Sequence, residues 1–166
     1  RKKERIKIVS DHLSISKNKI NFVEHHLAHL AAAYYSCPTY EIGRKFLGLT
    51  CDGAGDGLAG SVSICENNSI NRIAEIDRHA SLGKLYSRTT MLMGMRPWEH
   101  EFKLMGLAPY ADPERVQIAA DTYRNILGLS TNGLTFERVG ELSTNYCYRE
   151  LKNAFERVRL DTIAGA

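Results

Sequence analysis

The chain has 166 residues, 43% of them hydrophobic and 25% charged, with a net charge of +3. That suffices for one domain with a real core and excludes a disordered polar segment; the basic excess, part of it in Arg1-Lys2-Lys3-Glu4-Arg5 at a solvent-facing end, is too slight for a nucleic-acid surface. No apolar run can span a bilayer and no signal-peptide pattern opens the chain, while cysteines at 37, 51, 65 and 147 form no CxxC pair, which points to a reducing, cytoplasmic compartment with Cys51 and Cys65 in the core.

Residues 1–15 read weakly as a helix, and Ile20-Asn21-Phe22-Val23 as a short β-prone run. From His25 to Ser36, Leu27, Leu30, Ala31 and Tyr34 fall at i, i+3, i+4, i+7, the spacing of a helix with one buried stripe, ended by Cys37-Pro38. An apolar run from Lys45 to Cys51 leads into Asp52-Gly53-Ala54-Gly55-Asp56-Gly57. Leu58–Cys65 and Ile70–Ile76 then predict consecutive strands joined by a turn at 66–69, an antiparallel meander. From Ser81 the pattern is helical: Leu82 to Met95, Pro97 to Leu107, and a helix opening at Asp112-Pro113-Glu114 and running to about Leu127. A short strand over Gly133–Val139 and an amphipathic helix over Asn145–Val158 follow. The chain opens without Met and stops in what reads as a helix just beginning, capped by Asp161 or Thr162; the expectation is an excised segment of a longer protein. Strands first and helices after predict an α/β or α+β fold with a mixed sheet.

Chemistry concentrates in three places. In Val23-Glu24-His25-His26-Leu27-Ala28-His29, His25 and His29 are four apart and share a helix face, about 40° from one another around the axis, so two imidazoles can chelate one ion. Imidazole suits zinc, iron, nickel or copper. His26 and His29 make a poorer pair, and the Glu that a zinc protease needs after its first His is missing. A solvated or carbonyl-bonded histidine pair is the competing reading; Glu24 and Asp52 nearby favour the metal. In the second place, Asp52–Gly57, glycines let backbone N–H groups approach an anion. Two carboxylates beside a phosphate repel it unless a cation bridges them, which links this loop to the histidines. The calcium-loop and P-loop patterns both fail here, and the loop by itself fits a tight hairpin turn as well as a ligand loop.

The third place is Arg96-Pro97-Trp98-Glu99-His100-Glu101-Phe102-Lys103-Leu104-Met105-Gly106. Glu99 and Lys103 are spaced as a surface ion pair. Alternatively Lys103 neutralises a phosphate, Glu101 accepts from a ribose hydroxyl, and Gly106 ends the helix and opens a backbone contact to an anion. Trp98 and Met105 read as core.

The ordered segments VEHHLAHLAAAYY, LTCDGAGDG, SLGKLYS and EHEFKLMGLAPYA, over about residues 21–112, resemble the O-carbamoyltransferases of the nodulation-protein U and of the cephalosporin and tobramycin carbamoyltransferase type. The resemblance implies a partial fold of the actin, sugar-kinase and heat-shock ATPase type, akin to the threonylcarbamoyl-transferase domain. It implies a metal held by His25, His29 and Asp52: iron first, with zinc, manganese or magnesium as alternatives. It also implies contacts to ATP or carbamoyl-adenylate from Gly53, Ala54, Gly55 and Asp56, and from Glu101, Lys103 and Gly106. The implied activity is transfer of a carbamoyl group from carbamoyl-adenylate, derived from carbamoyl phosphate, to the hydroxyl of a small molecule such as a sugar or antibiotic. The family's adenylate-forming domain, a further metal-binding Asp and its amino-terminal charged residues have no counterpart here, so the fragment alone is expected to be inactive. No general base is identified. The competing expectations are a phosphotransferase or ATPase on the same fold, and a non-catalytic nucleotide- or partner-binding segment.

Overall fold

A computed structural model describes residues 2–166; Arg1, at the head of the basic terminal segment, lies outside them. The described chain forms seven α-helices and five strands: α1 Lys2–Leu13, α2 His25–Tyr35, β1 Phe46–Gly55, β2 Leu58–Glu66, β3 Ser69–Asp77, α3 Leu82–Leu92, α4 Glu101–Leu107, α5 Pro113–Arg124, β4 Leu127–Leu129, β5 Phe136–Arg138, α6 Tyr148–Ala154 and α7 Leu160–Gly165. It is a mixed α/β structure. The expected meander is β1-β2-β3; every ladder among the described residues is antiparallel, and β4-β5 forms a separate two-stranded sheet. No helix among the described residues is long and apolar enough to cross a membrane.

Two clusters form the core. The larger joins α3 to α7, with Leu85, Leu104, Leu151, Phe155 and Ile163 buried among them. The smaller sits under α2, where Leu30 and Tyr34 meet Cys65. The buried stripe of α2 is His26, Leu30 and Tyr34; Leu27, expected in it, is partly exposed. Along β1 every second residue faces α2, as strand alternation requires: a Cβ on Gly48 would strike Leu30, Thr50 bonds His26, and Asp52 bonds His25. On β1 the alternate residues Leu47 and Leu49 are 61% and 68% exposed, so this side of the sheet is open along β1, while Val62, paired with Leu49, and Ile76 are buried. Of the two cysteines expected in the core, Cys65 is buried but Cys51 is exposed; Cys147 is buried as well.

Several boundaries differ from expectation. Residues 20–23 form no strand, because nothing pairs with them. The helix from 82 stops at Leu92, and Gly94 takes a positive φ just beyond. The next begins at Glu101 rather than Pro97, since Trp98 has φ +67, which no helix interior accepts. It runs through Gly106 to Leu107, so Gly106 does not end it. The helix opened by Asp112, whose carboxylate accepts from the Glu114 amide, ends at Arg124, leaving Leu127 to begin β4. The last amphipathic helix is only Tyr148–Ala154. α7 is preceded by Arg159 rather than capped by Asp161 or Thr162; Asp161 lies in its first turn, ion-paired with Arg159.

Glu24 starts α2. Its carboxylate accepts from the amides of His26 and Leu27 and pairs with Arg72, so it serves as the helix cap. Burial opposes its ionisation, yet the two amides and the guanidinium outweigh that and hold the carboxyl below its usual range. The stability it contributes is therefore present above the ordinary carboxylate range and lost as pH falls through the lowered value. Glu24→Ala is expected to cost about 1 kcal/mol and to flatten that acid dependence; urea unfolding at neutral and acid pH measures both.

Candidate metal and nucleotide site

The hairpin between β1 and β2 sets the site. The turn is only Asp56-Gly57, with φ of +48° and +95°, a two-residue connection of the type that matches strand twist. Residues 52–55 therefore belong to β1 rather than to an open loop. Between the pairs Cys51↔Gly60 and Gly55↔Leu58 the ladder is irregular, four steps on β1 facing two on β2. This bulge at Asp52-Gly53-Ala54 lifts the segment out of the ladder and aims Asp52 at α2. Asp56 ties the hairpin tip to the helix: its Oδ2 accepts from the His25 backbone N–H at 2.9 Å.

Ligand-type atoms of His25, His29 and Asp52 lie within 4.8 Å of one another. His25 Nε2 and Asp52 Oδ2 are hydrogen-bonded at 2.6 Å; His29 Nε2 is 3.8 Å from the same oxygen. The His25 and His29 rings stand nearly perpendicular, centroids 4.6 Å apart. The imidazole of His25 above all, against the opposing effect of burial and with help from the Gly53 amide, holds the Asp52 carboxyl below its ordinary range. Two imidazoles and a carboxylate are a donor set that first-row divalent ions accept. Gly55 is what allows the approach: a Cβ there would lie 2.0 Å from His25 Cδ2 and 2.2 Å from its Cγ. Beside the triad opens a cleft of about 930 Å³, floored by Phe22, Val23, Ala28 and Ala32, with Lys2 and Arg5 at its edge.

His26, the weaker partner in the sequence, is fully buried and engaged elsewhere. Its Nε2 meets the Leu58 carbonyl at 3.1 Å and its Nδ1 the Thr50 hydroxyl at 3.0 Å. A carbonyl only accepts, so the proton sits on Nε2 and Nδ1 accepts from Thr50. His26 thus locks α2 to both strands of the hairpin and leaves its neighbours facing outward.

Of the sequence-derived nucleotide residues, Gly53, Ala54 and Gly55 adjoin the triad, with the Gly53 amide donating to Asp52 Oδ1 and Asp56 engaged on His25. Glu101, Lys103 and Gly106 lie on α4. Glu101 Oε1 accepts from the Trp98 backbone N–H at 2.6 Å. The Lys103 ammonium lies against Phe102. The expected Glu99–Lys103 pair does not form; Glu99 pairs with Arg96 at 3.0 Å. Trp98 and Met105 are 79% and 67% exposed, not core. Sequence reasoning passed over Lys84, which the structure brings to the bulge: a Cβ on Gly53 would lie 3.7 Å from Lys84 Nζ. α3 is seated there by Ser81, whose hydroxyl caps Lys84 N and donates to the Asp52 carbonyl at 2.9 Å.

The family described as "Carbamoyltransferase N-terminus" matches residues 2–162. The chain is 31% identical over 126 residues to "Nodulation protein NolNO" of Sinorhizobium fredii, covering 76% of this chain and 18% of that protein. It is 29% identical over 118 residues to "Nodulation protein NolO" of Bradyrhizobium diazoefficiens, covering 71% and 21%. An uncharacterized protein of Synechocystis is 37% identical over 112 residues, covering 68% and 17%. The chain thus spans about a fifth of the length of the curated relatives it matches. With nearly its whole length matched by the family, and the family's histidine and glycine segments folded against one another, this chain belongs to the carbamoyltransferase N-terminus family.

Proposed function

We propose that this chain is part of an ATP-dependent O-carbamoyltransferase that passes a carbamoyl group from carbamoyl-adenylate to the hydroxyl of a small molecule, in the cytoplasm. The observation that carries the reading is the convergence of His25, His29 and Asp52 beside the glycine bulge, in a chain of this family. In the transfer, the acceptor oxygen bonds to the carbamoyl carbon, the bond from that carbon to the phosphate oxygen breaks, AMP leaves with its electrons, and the hydroxyl proton is released.

The residues have separable tasks. His25, His29 and Asp52 would hold a divalent ion, iron first, which when bound supplies Lewis-acid polarisation of an oxygen. An ion bound there would replace the direct hydrogen bond between His25 and Asp52. Gly55 keeps the space His25 occupies. Asp56 and His26 fix α2 on the hairpin, and the cleft floored by Phe22 and Val23 receives the acceptor.

His29 is the cleanest probe, because its side chain is 60% exposed and its loss costs the fold little. His29→Ala is expected to weaken metal binding at least tenfold while moving the unfolding midpoint by less than about 2 °C. Metal content of the purified protein and carbamoyl transfer by the full-length parent are the readouts. Undiminished metal and undiminished transfer would sink the reading, and a phosphorylated acceptor in place of a carbamoylated one would move it to a phosphotransferase.

A further inference from the structure

We propose that Lys84 and Trp98 form a second wall of the nucleotide site, the ammonium of Lys84 taking the phosphate and the indole of Trp98 stacking on the base. The inference rests on the adenylate reading above and adds two residues to it.

Trp98 is held in an unusual way. It is the chain's single tryptophan, it is 79% exposed, and its backbone has φ +67. A bulky residue in the left-handed region is uncommon and costs energy, and a large indole in solvent forgoes burial. The Lys84 ammonium over the ring offsets only part of these costs. Instead a tight turn presents the ring: the Arg96 amide donates to His100 Nδ1, the His100 amide returns to the Arg96 carbonyl, and the Trp98 amide donates to Glu101 Oε1. Glu101 is thereby a positioning residue for the indole.

Lys84 joins that indole to the bulge. Its Nζ lies 5.5 Å from the Trp98 ring centroid and beside the open side of Gly53, where any side chain would take up the space next to the ammonium. No carboxylate pairs with it among the described residues. A half-buried cation with no carboxylate, next to a glycine bulge, is suited to an anionic oxygen. An aromatic face a few ångströms away takes the planar, uncharged part of the same molecule. Cation and ring centre lie 5.5 Å apart, so a nucleoside monophosphate offers a group to each where inorganic phosphate or a nucleoside offers only one. Aromatic faces stack on bases without base-specific hydrogen bonds, so this wall recognises nucleotides as a class.

The single tryptophan makes the test direct. In the 166-residue chain, AMP is expected to quench Trp98 fluorescence saturably, adenosine to do so only at higher concentration, and inorganic phosphate not at all. By calorimetry, Trp98→Ala should weaken AMP about tenfold, within the range of one lost stacking contact, while Trp98→Phe retains most of the affinity. Lys84→Met should weaken AMP to the level of adenosine and leave adenosine unchanged, and Lys84→Arg should restore AMP. AMP binding measured calorimetrically with unchanged Trp98 fluorescence, or with equal affinity in Trp98→Ala, overturns this proposal and leaves the adenylate reading standing. No AMP binding by either method overturns this proposal as well, while the adenylate reading is judged separately by carbamoyl transfer in the full-length parent.

Discussion

Gly55→Ala is expected to abolish metal binding while leaving the protein folded. The added methyl would fall 2.0 to 2.6 Å from three atoms of the His25 ring, inside any van der Waals contact. His25 cannot slide away as a unit, because its backbone N–H is fixed on Asp56 and its Nε2 on Asp52. The ring must rotate, which removes one donor and frees the Asp52 carboxylate. Affinity should drop by at least a hundredfold, or about 2.8 kcal/mol at 1.4 kcal/mol per decade. The stability cost is about 1–3 kcal/mol for overpacking. Gly106→Ala is the matched control, since nothing lies within 4 Å of the carbon it adds. Calorimetric metal titration of the two variants decides the matter: equal affinities would mean that His25 does not stand at a metal.

The largest stability effect should come from His26→Ala. The residue is 0% exposed and bonds two strands. Truncation opens a cavity and takes the imidazole from the Leu58 carbonyl and from the Thr50 hydroxyl, which keeps its bonds to Ser61. Together these cost about 3 kcal/mol, which for a chain of this size lowers the melting temperature by roughly 6–12 °C. His26→Gln can restore one of the two bonds and should recover part of the loss. A melting temperature within about 2 °C of the parent in His26→Ala would remove His26 from the list of structural keystones.

These two residues show what could be read from the sequence. The His25–His29 pair was legible because i, i+4 spacing fixes a shared helix face whatever the helix packs on. The burial of His26 was less so: the apolar pattern placed Leu27 and Ala31 in the stripe beside Leu30 and Tyr34, and a histidine does not announce itself as core. The spacing His26, Leu30, Tyr34 was the available signal. The meander was legible from alternation, but the turn was not located, since both Asp52-Gly53 and Asp56-Gly57 carry hairpin chemistry. Pairing register chose the second and made the first a bulge. Trp98 was misplaced because hydrophobicity predicts burial, and only tertiary placement shows a backbone turn holding it in solvent. Lys84 was invisible for a similar reason: its meeting with Gly53 depends on how α3 docks on β1.

The open β1 edge of the sheet has a colloidal meaning. Strand β1 pairs on one edge only among the described residues, and Leu47 and Leu49 stand in water beside that free edge. A row of unsatisfied backbone donors and acceptors flanked by leucines is a template for any extended segment that meets it. With a net charge of only +3, copies of the chain repel one another weakly. Dispersal in solution therefore rests on shape, on whether this edge and face are roofed, more than on charge.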